Sequence, residues 1–98
     1  MYRILYTKQA KKDIEYLKAA KLDKKAKQLV EAVRMDPFAN PPPYETLLGN
    51  LAGFYSRRIN LQYRFVYQVY TEPVTVDLTS YGGTVKIVRM WTHYEQIR

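Results

Sequence analysis

Three arginines lie close together in a stretch of the sequence rich in aromatic and β-branched residues: Arg57, Arg58 and Arg64. Successive residues of a β-strand point to opposite faces of the sheet, so Arg57 and Arg58 cannot both face one ligand. Arg64 belongs to the next predicted strand and can lie beside Arg58 on one face. Two guanidinium groups placed in this way would bind a phosphate through charge-assisted hydrogen bonds. Solvated surface charge is the alternative interpretation.

Two groups that can transfer protons flank this stretch. Glu45 follows the run Pro41-Pro42-Pro43, which stiffens its loop, and His93 is the single histidine of the chain. A carboxylate or an imidazole can take the proton of the ribose 2′-OH in RNA, and a second group can protonate the leaving 5′ oxygen. Arginines between them would stabilise the charge that develops on the phosphate. The set is compatible with metal-free RNA cleavage, although a solvated glutamate and a histidine without a catalytic role fit the sequence as well.

The sequence offers no ligand set for a metal ion. It has no cysteine, one histidine and no pair of acidic residues at ligand spacing. No glycine-rich phosphate loop precedes a predicted helix. We therefore expect neither a metal nor another cofactor.

The composition limits the size of the fold and the kind of partner. The chain has 98 residues, of which 47% are hydrophobic, and a formal net charge of +7. This length supports one domain, which we assign to residues 1–98, and the charge indicates a polyanion or an acidic protein as partner. No apolar run is long enough to span a membrane, and the N-terminus lacks the apolar core of a signal peptide. Because cysteine is absent, we expect a cytoplasmic protein.

The elements that position these residues follow from hydrophobic periodicity. Residues 2–6 predict a strand, and Thr7 is the predicted N-cap of a helix from about Lys8 to Ala20. A second helix is predicted from about Leu22 to Met35, and prolines then predict an extended loop over residues 36–50. The apolar stripe of the first helix comprises Ala10, Ile14, Leu17 and Ala20.

The remainder of the chain predicts a sheet. Strands are expected over residues 54–60, 62–70, 74–79 and 84–92, with a turn at Gly82-Gly83. The predicted fold class is α+β. The N-terminal strand and the two helices would pack on one face of a mainly antiparallel sheet of four to five strands, and the other face would stay open.

Several stretches resemble the YoeB-type toxins of bacterial type II toxin–antitoxin modules, within the RelE-like superfamily. The resemblance rests on Asp36-Pro37-Phe38, Tyr44-Glu45-Thr46-Leu47, residues 50–60, residues 63–67 and the pair His93-Tyr94. Its most specific part is Ser-Arg-Arg-Ile followed at fixed spacing by Arg-Phe-Val-Tyr. The predicted strand and helices agree as well, so the resemblance covers nearly the whole chain and implies a RelE-like fold.

The resemblance implies a ribosome-dependent endoribonuclease that cleaves mRNA in the A site of the 70S ribosome and so inhibits translation. It implies neutralisation by a cognate YefM-type antitoxin whose tail wraps the toxin, and it leaves a homodimer open. Neither a cofactor nor a membrane partner is implied.

The resemblance also implies roles for single residues. Tyr94 would shape the substrate pocket and bind RNA, and Arg57 is assigned to RNA binding. The usual assignment makes Glu45 the base and His93 the acid, and the two could exchange these roles. The implied catalytic residues are Glu45, Arg58, Arg64 and His93.

The chain departs from the family pattern in three places. Leu48 stands where some relatives carry a lysine, residues 71–83 lengthen a hairpin, and residues 95–98 extend past the tyrosine that ends many relatives. Two rival functions stay open. One is a ParE-like toxin that inhibits DNA gyrase, and the other is a non-catalytic basic module that binds RNA or an acidic partner. Glu45 and His93 argue against the first, because an inhibitor needs no acid–base pair.

Overall fold

Two helices cover one face of a five-stranded sheet in the computed structural model, which describes residues 1–93 and the side chains of residues 1–90. The α+β fold predicted from the sequence is confirmed. A 3₁₀ turn spans Gly49–Leu51. The helices and strands, in chain order, are β1 Tyr2–Tyr6, α1 Lys8–Ala19, α2 Asp23–Met35, β2 Glu45–Thr46, β3 Phe54–Arg58, β4 Tyr63–Tyr70, β5 Val74–Val76, β6 Thr79–Tyr81 and β7 Gly83–His93.

The main sheet has the strand order β1-β7-β4-β3-β2. β1 pairs with β7 in parallel, and all other neighbours are antiparallel. Gly83 begins β7 at a point of close approach. A Cβ atom there would overlap the carbonyl oxygen of Tyr70 and the ring of Tyr2, so only glycine fits.

β5 and β6 form a separate two-stranded hairpin outside the main sheet. A bend at Gly82, between β6 and β7, agrees with the turn predicted at Gly82-Gly83. The single strand predicted over residues 74–79 is wrong. The chain turns instead at Asp77 and Leu78, whose φ angles are 49° and 70°. Two successive positive φ angles suit a two-residue hairpin turn, because they match the twist of the flanking strands. The strand prediction failed because Asp77 and Leu78 adopt positive φ angles, for which glycine is the usual sequence signal.

Both helices begin and end within one residue of their predicted limits. α1 starts after Thr7 because the Thr7 hydroxyl accepts a hydrogen bond from the Ala10 N–H at 3.1 Å. It ends at Ala19, shortly before Lys21, which has a φ of 59°. Neither described helix is long and apolar enough to cross a membrane.

The hydrophobic core lies between the helices and the sheet. Of the predicted α1 stripe, Ala10 and Leu17 are buried, Ile14 is partly buried, and Ala20 is exposed because it lies past the end of the helix. The main core residues are Ala10, Leu17, Ala26, Val30, Val33, Ile59, Phe65, Tyr67, Val85, Ile87 and Met90.

A carboxylate is buried beside this core. Asp13 of α1 is 1% exposed and accepts hydrogen bonds from Arg89 Nε at 2.8 Å and from the Met90 N–H at 3.0 Å. The Gln9 amide donates a third hydrogen bond to it at 2.9 Å. Because Arg89 and Met90 belong to β7, the carboxylate joins α1 to a central strand.

We predict that Asp13→Asn lowers the free energy of unfolding by about 2 kcal/mol. The change removes the negative charge that pairs with the Arg89 guanidinium and puts a neutral amide in its place. The matched control is Glu15→Gln on the same helix, whose side chain is 74% exposed and 3.7 Å from Lys18 Nζ. This control should change stability by less than about 0.5 kcal/mol. Urea denaturation followed by circular dichroism measures both, and equal losses would contradict a special role for Asp13.

Candidate active site

An ion pair between a buried arginine and a half-exposed glutamate marks the candidate site. Arg64 Nη1 lies 3.0 Å from Glu45 Oε2, and the side chains are 3% and 50% exposed respectively. The two residues come from different strands and are distant in the sequence. The structure thus brings together two of the residues that the sequence singled out.

The register of three strands produces this meeting. Glu45 of β2 is paired with Ser56 of β3, and Arg58 of β3 is directly opposite Arg64 of β4. Residues that are two apart on a strand share a face, so Ser56 and Arg58 point to the same side. The placement of Arg58 beside Arg64, expected from strand alternation, is confirmed.

β2 itself was missed by the sequence analysis, which predicted an extended loop over residues 36–50. The three prolines cannot donate ladder hydrogen bonds, and they end at Pro43, just before the strand. Beyond them Glu45–Thr46 pairs with β3, and the Leu47 N–H donates to the Phe54 carbonyl at 3.0 Å. The short strand fixes the backbone of Glu45 at the edge of the sheet.

A cleft of about 250 Å³ opens at this ion pair. Ser56, whose Oγ accepts a hydrogen bond from Arg64 Nη1 at 3.4 Å, contributes to its wall and was not identified from the sequence. The signal for it was its spacing of two from Arg58. The lining residues are Pro43, Tyr44, Glu45, Ser56, Arg58 and Arg64.

The cleft carries an excess of positive charge, since two guanidinium groups face one carboxylate. Arg64 is held rigidly by burial, whereas Arg58 is exposed to solvent. Such a pair can bind an anionic phosphate, and the carboxylate of the half-exposed Glu45 side chain can accept a proton. A larger groove of about 340 Å³ lies between α1, α2 and Met90, but Glu45, Arg58 and Arg64 do not line it.

Arg57 is not part of this cleft. It points to the opposite face, is 0% exposed, and donates hydrogen bonds to the carbonyls of Pro37, Ala39 and Pro42. Its Nε donates to the Tyr67 hydroxyl at 3.0 Å. We therefore correct the prediction that Arg57 binds RNA, because its donors are engaged inside the protein.

The C-terminal pair is described only in part. The backbone of His93 ends β7 and is paired with Tyr63 of β4, next to the pairing of Thr92 with Arg64. The side chain of His93 and all of Tyr94 lie outside the described residues. Their roles in catalysis and RNA binding therefore stay predictions.

A family model matches residues 6–94 of this chain, and it describes a YoeB-like toxin of bacterial type II toxin–antitoxin systems. Toxin YoeB of Synechocystis sp. is 43% identical over 49 residues, which are 50% of this chain and 57% of that protein. The chain therefore matches little more than half the length of this relative.

Solved structures of similar toxins agree over nearly their whole length. A YoeB/ParE toxin from Agrobacterium tumefaciens superposes with a TM-score of 0.74 at 28% identity, covering 94% of this chain and 99% of that one. A YoeB–YefM heterotetramer from Staphylococcus aureus gives 0.70 at 30% identity, covering 96% and 99%. A YoeB dimer from the same organism gives 0.67 at 31% identity, covering 95% and 98%. On the family match over residues 6–94, the chain belongs to the YoeB-like toxins of bacterial type II toxin–antitoxin systems.

Proposed function

We propose that this toxin is a ribosome-dependent endoribonuclease that cleaves mRNA in the A site of the 70S ribosome and thereby stops translation in the cytoplasm. One observation carries the proposal: Glu45, Arg58 and Arg64 converge on one open cleft. A carboxylate next to two cations that can bind phosphate suits cleavage through the 2′-OH. Membership of the YoeB-like family supports the same assignment.

In the proposed reaction, Glu45 removes the proton of the ribose 2′-OH, and the resulting alkoxide attacks the adjacent phosphorus in line. The bond to the 5′ oxygen breaks, and His93 supplies the proton that this oxygen takes up. The products are a 2′,3′-cyclic phosphate and a 5′-hydroxyl end. Arg58 and Arg64 would stabilise the extra negative charge of the transition state, where preorganised donors have their largest effect.

The ribosome would supply what this small site lacks. Within the part of the chain that the structure describes, six residues line the cleft, a small set for orienting a flexible RNA strand. Holding the 2′-OH, the phosphorus and the leaving oxygen in line accounts for much of the barrier in such reactions. An mRNA fixed in the A site would present these atoms already aligned.

The proposed partners beyond RNA are a YefM-type antitoxin and a second copy of the toxin. The Staphylococcus aureus relatives form a YoeB–YefM heterotetramer and a YoeB dimer. The net charge of +7 and the exposed guanidinium of Arg58 favour an acidic inhibitor segment whose carboxylates replace the substrate phosphate.

We predict that Glu45→Gln and His93→Gln each lower cleavage of a translated messenger by at least about 100-fold, because loss of either proton-transfer group removes most of its contribution. Primer extension on the messenger measures the cuts. Glu15→Gln, an exposed change on α1, is the matched control and should cleave normally.

Circular dichroism should show an unchanged fold for all three variants. Near-normal cleavage by either test variant would remove that residue from the mechanism. An intact messenger with the unaltered protein, together with inhibition of gyrase, would favour the ParE-like alternative.

We also expect cleavage to depend on the ribosome. Purified protein at low concentration should leave naked RNA intact and should cut the same RNA at discrete in-frame positions once ribosomes translate it. Slow purine-biased cutting at high protein concentration is compatible with this expectation. Fast, codon-phased cutting of naked RNA would contradict it.

For the antitoxin, we predict that Arg58→Ala weakens binding by at least about 30-fold, because it leaves inhibitor carboxylates without their partner. The matched control is Lys12→Ala, which removes the same charge from the exposed side of α1. Isothermal titration calorimetry measures both affinities. Equal weakening by the two changes, or a complex structure with Arg58 and Arg64 left in solvent, would exclude carboxylate mimicry of the phosphate.

A further inference from the structure

Among the side chains that the structure describes, the largest fully buried one belongs to Arg57, which takes no part in the proposed chemistry. Its guanidinium group donates to three backbone carbonyls, and its Nε donates to the Tyr67 hydroxyl. A buried cation is costly unless every donor is satisfied. The acceptors of these hydrogen bonds show which part of the structure Arg57 holds in place.

All three carbonyls belong to the loop between α2 and β2. Pro37, Ala39 and Pro42 lie along the loop from near its start to near its end. The Tyr67 hydroxyl adds a second contact by donating to the Pro37 carbonyl at 2.9 Å. Burial raises the pKa of Tyr67, although the hydrogen bond from Arg57 opposes this, so the hydroxyl stays protonated and able to donate.

The charge of Arg57 is offset by neutral groups among the described residues. Besides the carbonyl dipoles, its guanidinium carbon lies 5.2 Å from the centre of the Tyr44 ring and 6.0 Å from that of Tyr67. Cation–π contacts at these distances are favourable, more so when the pair is desolvated. The contact with Tyr44 reaches the residue directly before Glu45.

Arg57 is also linked to Glu45 through the backbone. Ser56, its neighbour on β3, is the register partner of Glu45, and Thr46 is paired with Tyr55. β2 has only two residues, so this short ladder holds Glu45 weakly by itself. The side chain of Arg57 holds the loop that leads into β2, and β3, the strand to which Arg57 belongs, pairs with β2 itself.

We propose that Arg57 is a positioning residue that anchors the proline-rich loop and thereby holds the Glu45 carboxylate against Arg64. The inference rests on the proposed function only in so far as Glu45 is the catalytic carboxylate. A guanidinium suits this task because its fixed fork of donors reaches several carbonyls at once, whereas an ammonium is a single point.

The test is a double-mutant cycle with Arg57→Lys and Glu45→Gln, measured as single-turnover cleavage on saturating ribosomes. Arg57→Lys alone should lower the maximal rate by about 10- to 100-fold, because a displacement of about 1 Å has an effect of that size. The ribosome concentration at half-saturation should stay within about twofold, since Arg58 and Arg64 are retained. In the Glu45→Gln background, the same change should alter the rate by less than about twofold.

Val33→Ala is the matched control for lost stability. Val33 is fully buried on α2, away from the cleft. This change should destabilise the protein without altering the maximal rate of the folded fraction. Additive losses from Arg57→Lys and Glu45→Gln, or a fall with Val33→Ala as large as with Arg57→Lys, would overturn the positioning role.

Hydrogen exchange decides the question without any activity. In Arg57→Lys, the amides of Ala39 and Leu47, which are hydrogen-bonded within and after the loop, should exchange at least about tenfold faster, whereas amides of α1 should not change. If Arg57→Lys does not fold, Tyr67→Phe removes the hydroxyl that accepts from Arg57 Nε and donates to the Pro37 carbonyl, and it should give a smaller change in the same direction. Unchanged protection at both amides in Arg57→Lys would refute the inference. If Arg57→Lys loses this protection but the unaltered protein cuts no RNA, only the proposed function is refuted.

Discussion

Two arginines face each other across the β3–β4 ladder, and the candidate site depends on how the fold tolerates them. Like charges directly opposite on a sheet destabilise it, yet Arg58 and Arg64 occupy paired positions. The Glu45 carboxylate, 3.0 Å from Arg64, offsets part of this repulsion. Solvent around the exposed Arg58 screens a further part. A phosphate bound between the guanidinium groups, as we propose, would remove the remaining repulsion.

Three buried charged residues in the described part of the chain are stabilised in different ways. Asp13 is matched by a cation, Arg89, and by a backbone N–H. Arg64 is matched by a carboxylate that remains half exposed, so its partner can be exchanged for a substrate group. Arg57 is matched by carbonyls and aromatic rings, which cannot leave. Permanent partners occur where the fold is fixed, and an exchangeable partner occurs where we propose the chemistry.

Much of this architecture could be predicted because it depends on local rules. Thr7, a favoured N-cap residue, predicted the start of α1, and the alternation of side chains along β3 and β4 predicted that Arg58 lies beside Arg64. The burial of Asp13 could also have been predicted, because it lies three residues after Ala10 and four before Leu17, within the apolar stripe. An acidic residue within an apolar stripe is a signal for a buried ion pair.

Other features were beyond local rules. β2 depends on pairing with a distant strand, and the role of Arg57 depends on where a loop of prolines folds back. The turn at Asp77 and Leu78 lacks the glycine that usually signals positive φ. In each case tertiary contacts select a conformation that the residue types alone do not favour.

The chemistry of the cut ends tests the central claim most directly, since only attack by the 2′-OH leaves a 2′,3′-cyclic phosphate and a 5′-hydroxyl. The measurement uses a translated messenger with a single 2′-deoxy nucleotide at the scissile position and an unmodified copy, with mass spectrometry of the fragments. The account predicts cyclic phosphate ends from the unmodified messenger and no cut at the deoxy position. Cleavage of the deoxy messenger at an unchanged rate, or fragments with a 5′-phosphate, would show that another nucleophile does the work and would contradict the role assigned to the Glu45–Arg64 cleft.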